Sequence, residues 1–274
     1  MNKNIYSKKV LLVLAAVYLQ AFSLFASKQA EKGIPQCGLY TMHELAFESM
    51  SNDSSFRFPQ VTFQKPDGSV IKVDGFYDGG INYKVRAYCN QKGKWKWELQ
   101  NDSHFKKRSG TFNVVNSQYK GKIKKHPDDP YQFAHDNGDW FLHIGDTGYR
   151  YVTDTELKWK EYIDQACEVG MTKIRTWFCR SRSGVEALFN DERTSLNLPY
   201  WQEIDKRIAY AFENYPDVIF QLIPFGEDIN ELKRYYDGDS LSYKMVRYAQ
   251  ARFSAYPNIY WSISSDREIV KKTS

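Results

Sequence analysis

The chain has 274 residues, with 38 Lys and Arg against 33 Asp and Glu for a formal net charge of +5, and a length that suits two domains better than one. Three of those lysines and no acid lie in residues 1–27, so without that segment the charge falls to +2. A balance so near neutral argues against a nucleic-acid partner, which demands a concentrated basic face; HFKKRS (104–109) and the pair Lys124 and Lys125 read as solvated hairpin tips.

Lys3, Lys8 and Lys9 precede the apolar run VLLVLAAVYLQAFSLFA (10–26), and Ser23, Ala26 and Ser27 are small residues near its end. This is the layout of a secretory signal peptide over 1–27, and it predicts a secreted or periplasmic protein. A membrane anchor is the rival, because 17 residues approach the minimum span of about 17–25; Gln20 and Ser23 weaken it, and no stable membrane insertion is expected after cleavage. No cysteine stands at the cleavage point to take a lipid.

Aromatic residues make up 16% of the chain, with 20 Tyr, 17 Phe and 7 Trp. Flat rings fill the cores of sandwiches and barrels, and they also stack on sugar faces. The four cysteines, Cys37, Cys89, Cys167 and Cys179, allow three connectivities in an oxidising compartment. Cys37 can pair with Cys89 inside the first domain, and free buried thiols fit equally well. No CxxC pair or His/Cys spacing suggests zinc, and no metal or cofactor is expected.

From 37 to 115 the pattern is short strands of period-two alternation separated by turn residues, the signature of an antiparallel β-sandwich. The strands are ELAFES, QVTFQ, SVIKVDGFYDGG, INYKVRAYC, GKWKWELQ and GTFNVV. PDGS (66–69) is a turn with Pro at its first corner, and NQKG (90–93) closes a hairpin. Trp95 and Trp97 share one face of their strand, either as core or as a platform for a sugar. Residues 116–137 are polar, carry two prolines, and read as a linker.

Beyond it the period changes. WFLHIGD (140–146) is an apolar strand. TDTELKWKEYIDQACEVG (153–170) is a helix with a capping box at Thr153 and Glu156 and a stop at Gly170. MTKIRTW follows as a strand, helix 200–215 leads through Pro216 into VIFQLIPF, and helix 241–256 leads through Pro257 into IYWSIS. Strands without a solvent face that alternate with helices mean a parallel sheet over 138–274, in an open doubly wound fold or a (β/α)8 barrel. Gly145 and Gly148 flank Asp-Thr and make no GxGxxG, so no nucleotide is expected.

In parallel barrels the reacting groups gather at the carboxyl ends of strands. Those ends carry Asp146 (HIGDTGY), Arg175 and Trp177 (IRTWFCR), Glu227 and Asp228 (PFGED), and Asp266 (WSISSD). Acids and an arginine can bind hydroxyls while a tryptophan stacks on the apolar face of a ring, so the expected partner is a carbohydrate. Each residue also has a structural reading: capping for Asp146, Glu227, Asp228 and Asp266, an internal ion pair for Arg175, packing for Trp177.

The segments GFYDGGINYKVRAYCNQKGKWKWEL and FAHDNGDWFLHIGDTGYRY and the strand MTKIRTW resemble a family of secreted bacterial proteins. In these an immunoglobulin-like domain of unknown function precedes an apiosidase-like glycoside hydrolase barrel. The resemblance covers about 38–266 and implies hydrolysis of polysaccharide side chains or glycosides. It also implies a general acid/base after the fourth strand, commonly an Asn-Glu pair that here reads Ser265 and Asp266, and a second carboxylate after the seventh. The expectation is therefore an immunoglobulin-like sandwich plus an incomplete (β/α)8 barrel of four βα units. Asp266 is the expected catalytic acid, with Asp146, Arg175, Trp177, Glu227 and Asp228 binding substrate, in a fragment inactive by itself. A non-catalytic protein that binds glycans through Trp95, Trp97 or Tyr77 of the sandwich is the alternative, and pairing of two half barrels in a dimer is a third.

Overall fold

A computed structural model describes residues 34–51, 57–100, 103–106, 108–149, 151–152, 158–178, 188–190, 193–225 and 229–262. The leader thus lies outside the described residues, as do Cys179, Glu227, Asp228 and Asp266. The chain divides into a unit Met1–Pro35, of which only 34 and 35 are described, and a compact unit Gln36–Ser274.

The compact unit begins with eight strands: β1 Gln36–Gly38, β2 Met42–Glu48, β3 Gln60–Gln64, β4 Val70–Asp74, β5 Phe76–Gly79, β6 Asn82–Tyr88, β7 Gly93–Leu99 and β8 Ser109–Val115. They form a five-stranded sheet in the order β1-β8-β7-β3-β4 and a three-stranded sheet β2-β6-β5. The alternation read from the sequence sends Val61, Phe63, Trp95, Leu99, Phe112 and Val114 of the first sheet against Phe47, Tyr83, Val85 and Ala87 of the second, all buried in one core. The PDGS turn forms as expected: the Lys65 amide donates to Ser69 O at 2.8 Å, and Gly68 adopts φ +86°, a conformation cheap only for glycine.

SVIKVDGFYDGG is two strands and not one, because the chain changes sheets at Gly75. A Cβ there would lie 2.6 Å from Val85 Cγ2 and 2.8 Å from the Lys84 carbonyl, so the corner requires glycine. The stretch read as a linker also holds structure. Strands β9 Ile123–Lys125, β10 Phe133–His135 and β11 Trp140–Phe141 make a small antiparallel sheet, closed between the last two by a turn in which the His135 amide donates to Asp139 O at 2.8 Å. The run WFLHIGD is accordingly split. Its first two residues belong to β11, and its last two are strand β12, Gly145–Asp146, at the edge of the next sheet.

That sheet is β12, β13 Lys173–Trp177, β14 Ile219–Ile223 and β15 Ile259–Trp261, in chain order and parallel throughout. Between the strands lie helices α1 Trp159–Glu168, α2 Leu198–Asn214, α3 Ile229–Tyr236 and α4 Ser240–Phe253. Ile174, Phe220 and Leu222 pack into one core with Ile163, Trp201, Ile208, Met245 and Phe253 from the helices. Successive strand residues point to opposite faces, which leaves Lys173, Arg175, Gln221 and Tyr260 on the other side. There Lys173 Nζ and the Tyr260 hydroxyl both donate to Gln221 Oε1, at 3.1 and 3.0 Å.

Helix α1 stops at Gly170, φ +88°, as its sequence predicts, while the capping box at Thr153 and Glu156 falls outside the described residues. Helix α4 starts one residue before its predicted bound, where Asp239 accepts the Ser242 amide at 2.8 Å. Helix α3 follows directly on Glu227 and Asp228, for which the sequence offered a capping role without bounds for the helix. Among the described residues no helix is long and apolar enough to cross a membrane.

Candidate functional site

Strands β12 and β13 carry Asp146, Arg175 and Trp177 towards the carboxyl edge of the parallel sheet, but not on one face: Asp146 is in register with Ile174, whose side chain packs under the helices, whereas Arg175 and Trp177 project from the other side. Asp146 is exposed and accepts two hydrogen bonds, from the Thr147 amide at 2.7 Å and from the Tyr162 hydroxyl at 2.5 Å. Its carboxylate is thus held in one orientation by the turn that follows it and by helix α1. Burial first, and then the bond to Asp146, push the Tyr162 phenol above its ordinary range, so it stays a donor at every physiological pH.

Gly148 makes this arrangement possible, because a Cβ there would run into the Tyr162 hydroxyl. The next residue, Tyr149, lays its ring on the Trp177 indole, centroids 3.9 Å apart and planes 8° from parallel. The Arg175 guanidinium stands 5.2 Å from the Tyr149 ring centroid, within the range of a cation–π contact, and Thr176 Oγ1 donates to the Tyr149 carbonyl at 3.2 Å. Trp177 is 4% exposed, and among the described residues no acceptor reaches its indole N–H. A buried donor left so costs about 1–3 kcal/mol, which an incoming oxygen would recover.

Tyr149 is a site residue that the strand-end argument misses, because it lies beyond the strand, in the turn. The single Gly-x-x-Gly of GDTGY, Gly145 and Gly148, is the sequence feature that precedes it. Glu227, Asp228 and Asp266 lie outside the described residues; β14 and β15, which precede them, run parallel to β13. Beside the site the sheet face is cationic. Burial, and then the neighbouring Arg175, lower the pKa of Lys173.

A second cluster of charge, unforeseen from the sequence, joins the sandwich to the helices. Arg86 from β6 grips Asp205 of α2 with two nitrogens, each at 2.8 Å, and donates to the Arg252 carbonyl at 2.7 Å. Arg252 in turn pairs with Asp78 at 2.8 Å and with Asp205 at 3.0 Å, and the Tyr256 hydroxyl donates to Asp205 at 2.8 Å. Burial would raise the Asp205 pKa, but Arg86 and then Arg252 outweigh it and the carboxyl is held below its ordinary value. The carboxylates of Asp78 and Asp205 are thus neutralised within the cluster, which acts as a clasp between the sandwich and the helices.

Of the aromatic residues considered as a sugar platform, Trp95 is fully buried against Phe112, its N–H donated to Gln91 O at 2.9 Å. Trp97 is half-buried, covers Gly110 and meets the edge of Phe47. Both are core contacts of the sandwich.

The description of an apiosidase-like catalytic domain matches residues 128–274, more than half of the chain. The chain belongs to the apiosidase-like family. Ahead of the apiosidase-like domain, residues 37–102 match a domain of unknown function, DUF5060, so the order of the two domains is the one the sequence resemblance implied. The apiosidase-like match starts at 128 and takes in β10 and β11. A crystal structure from Bacteroides vulgatus ATCC 8482, provisionally assigned as a glycoside hydrolase, superposes with TM-score 0.74 at 19% identity, over 88% of this chain and 51% of that one. That likeness establishes the shared fold of sandwich and partial α/β domain, and the chain spans about half the length of the solved structure. A glycoside hydrolase of family 5 from the same organism (15% identity, TM-score 0.43, 56% of this chain and 35% of that one) and an endo-1,4-beta-mannanase from Rhizomucor miehei (16%, 0.37, 53% and 48%) are more distant. No curated protein matches the chain.

Proposed function

We propose that the apiosidase-like chain is exported by its leader and binds polysaccharide side chains or glycosides, and that the whole protein of its family, about twice its length in the solved relative, hydrolyses their glycosidic bonds. The observation that carries the proposal is the stack of Tyr149 on Trp177 beside Arg175, at the carboxyl end of a parallel sheet and on the face turned away from the helices, inside the segment that matches the family. Arg175 would bind sugar hydroxyls and the buried indole N–H of Trp177 would donate to a further oxygen, while Asp146, held by Tyr162 on the helix side, would fix the turn that carries Tyr149. Asp266 is the proton donor in this reading, with Glu227 and Asp228 beside the substrate. The sheet β12–β15 then corresponds to the first four strands of a (β/α)8 barrel, and the sandwich to an immunoglobulin-like module.

Glycosidases work with two carboxyl groups, about 5–5.5 Å apart when they retain configuration and about 6.5–9.5 Å when they invert it. The reading gives Asp266 one of these roles and assigns the other to no residue of the chain, so the 274-residue protein is proposed to be inactive or nearly so by itself. The experiment is an assay of the purified protein, wild type and Asp266→Asn, on a panel of plant and algal polysaccharides, with retention by the same polysaccharides measured in affinity gels. Glycan retention that is lost in Trp177→Ala, without turnover, is the expected result. Robust turnover abolished by Asp266→Asn would overturn the inactivity. Turnover indifferent to that substitution would remove Asp266 as the acid.

A further inference from the structure

The sequence leaves the pairing of four cysteines open, and the fold narrows it. Cys37 lies in the middle of β1, opposite Val114 of β8, and so belongs to the five-stranded sheet. Cys89 follows the last residue of β6, in the other sheet. Two backbone hydrogen bonds fix the segments against each other: the Tyr40 amide donates to Cys89 O at 2.7 Å and the Cys89 amide to Thr41 O at 2.9 Å. The two sulfurs, 52 positions apart in sequence, lie 3.3 Å from one another. A disulfide bond is about 2.05 Å long, so small rotations of the two side chains close the gap without moving either strand.

The surroundings of the pair suit the chemistry. Cys37 is half-buried and Cys89 fully buried, so an oxidant meets Cys37 first. The hydrogen bond shared with Cys89 lowers the Cys37 thiol to about 6 against the opposing effect of burial, with His43 adding to it. The same bond, together with burial, raises Cys89. The thiolate is the attacking species in disulfide exchange, so the accessible sulfur is the activated one. Cys167 stands apart in α1, and its thiol is pushed up to about 11 by burial.

We propose that Cys37 and Cys89 form a disulfide that bolts the two sheets of the sandwich together, made by exchange with a disulfide oxidant. The Cys37 thiolate attacks one sulfur of the oxidant, expels the other as a thiol and becomes a mixed disulfide. Cys89 then loses its proton to solvent and displaces the remaining half. The two protein thiols are oxidised by two electrons, and one oxidant disulfide is reduced to two thiols.

The test is a peptide map of the full chain, purified without reductant, equilibrated with oxidised and reduced glutathione, blocked with N-ethylmaleimide under denaturing conditions and digested. A linked pair of peptides containing Cys37 and Cys89, lighter than their sum by two hydrogens, is the expected product. Both residues carrying the blocking group would overturn the proposal, and so would a bridge from either of them to Cys167 or Cys179. Reduction by dithiothreitol should lower the melting temperature of the wild type by roughly 5–10 °C, given a closed loop of this size, and leave Cys37→Ser unmoved. An equal effect of reductant on both proteins would count against the bridge, and if Cys37→Ser fails to fold the wild-type map decides alone.

Discussion

Arg86 of the sandwich and Asp205 of helix α2 form a two-pronged ion pair in which each guanidinium nitrogen stands 2.8 Å from its own carboxylate oxygen. The two residues are 5% and 8% exposed, so neither charge has water to fall back on. Arg252, Asp78 and Tyr256 complete the ring of partners. Arg86 and Asp78 come from YKVR and FYDGG, within one of the segments that carry the family resemblance. Those motifs act in this fold by joining the sandwich to the helical layer.

Removing one partner of a buried pair strands the other as an uncompensated charge, at a cost of about 3–5 kcal/mol. Arg86→Ala and Asp205→Ala should each lower stability by that amount in urea titration. Lys120→Ala breaks an exposed pair with Asp217 and should cost less than about 1 kcal/mol. Equal losses at the two places would show that the buried clasp has no special weight.

The same pair sets an acid limit. Asp205 is held below its ordinary pKa against the effect of burial, by Arg86 before Arg252; Asp78 is lowered too, burial opposing it and Arg252 and Lys84 prevailing. A carboxyl whose folded pKa is depressed contributes stability above its unfolded value, about 3.9, and loses that contribution as pH falls through the folded one. The melting temperature should therefore hold from pH 7 to about pH 5 and drop steeply below about pH 4. In Asp205→Asn the drop should be shallower from a lower starting point. A wild-type curve flat to pH 3 would contradict the assignment.

The periodicities in the sequence carried most of the fold. Alternation in QVTFQ and GKWKWELQ marks the sandwich core at Val61, Phe63, Trp95 and Leu99, and the Pro-turn-strand echoes at 216 and 257 mark β14 and β15. Strand ends aligned by a parallel sheet account for Arg175 and Trp177 sharing a face, whereas Asp146, in register with Ile174, faces the helices instead. What stayed hidden depends on tertiary proximity. Gly75 marks a change of sheet only because Val85 and Lys84 crowd it, and Arg86 meets Asp205 across 119 positions, which no local pattern encodes. Tyr149 became a site residue through the turn at Gly148, and the short strands at 123–125 and 133–135 were masked by the polarity of their exposed faces.

Trp95 tests the division between core and binding surface. Its ring is fully buried and stacked against Phe112, and truncating such a ring costs about 3–5 kcal/mol. Trp95→Ala should shift the urea midpoint by that amount, and any glycan retention lost with it should return when the variant is assayed at low temperature in stabilising osmolyte. Loss of retention at unchanged stability would make Trp95 a ligand contact after all.

Trp177 is the reverse case. Its indole N–H is buried and meets no acceptor among the described residues, while its ring face lies on Tyr149. Trp177→Phe keeps an aromatic face for Tyr149 and deletes the donor. A neutral hydrogen bond is worth about 0.5–1.5 kcal/mol, so the affinity for a retained oligosaccharide should fall about three- to tenfold. No hydrogen bond to the described residues is lost with the donor, so the stability cost should come from ring volume alone and stay well below that of Trp177→Ala. Isothermal titration calorimetry alongside thermal melts separates the two effects. If Trp177→Phe binds the oligosaccharide as tightly as the wild type does, the indole donor faces no ligand and the site must be rebuilt around Tyr149 and Arg175.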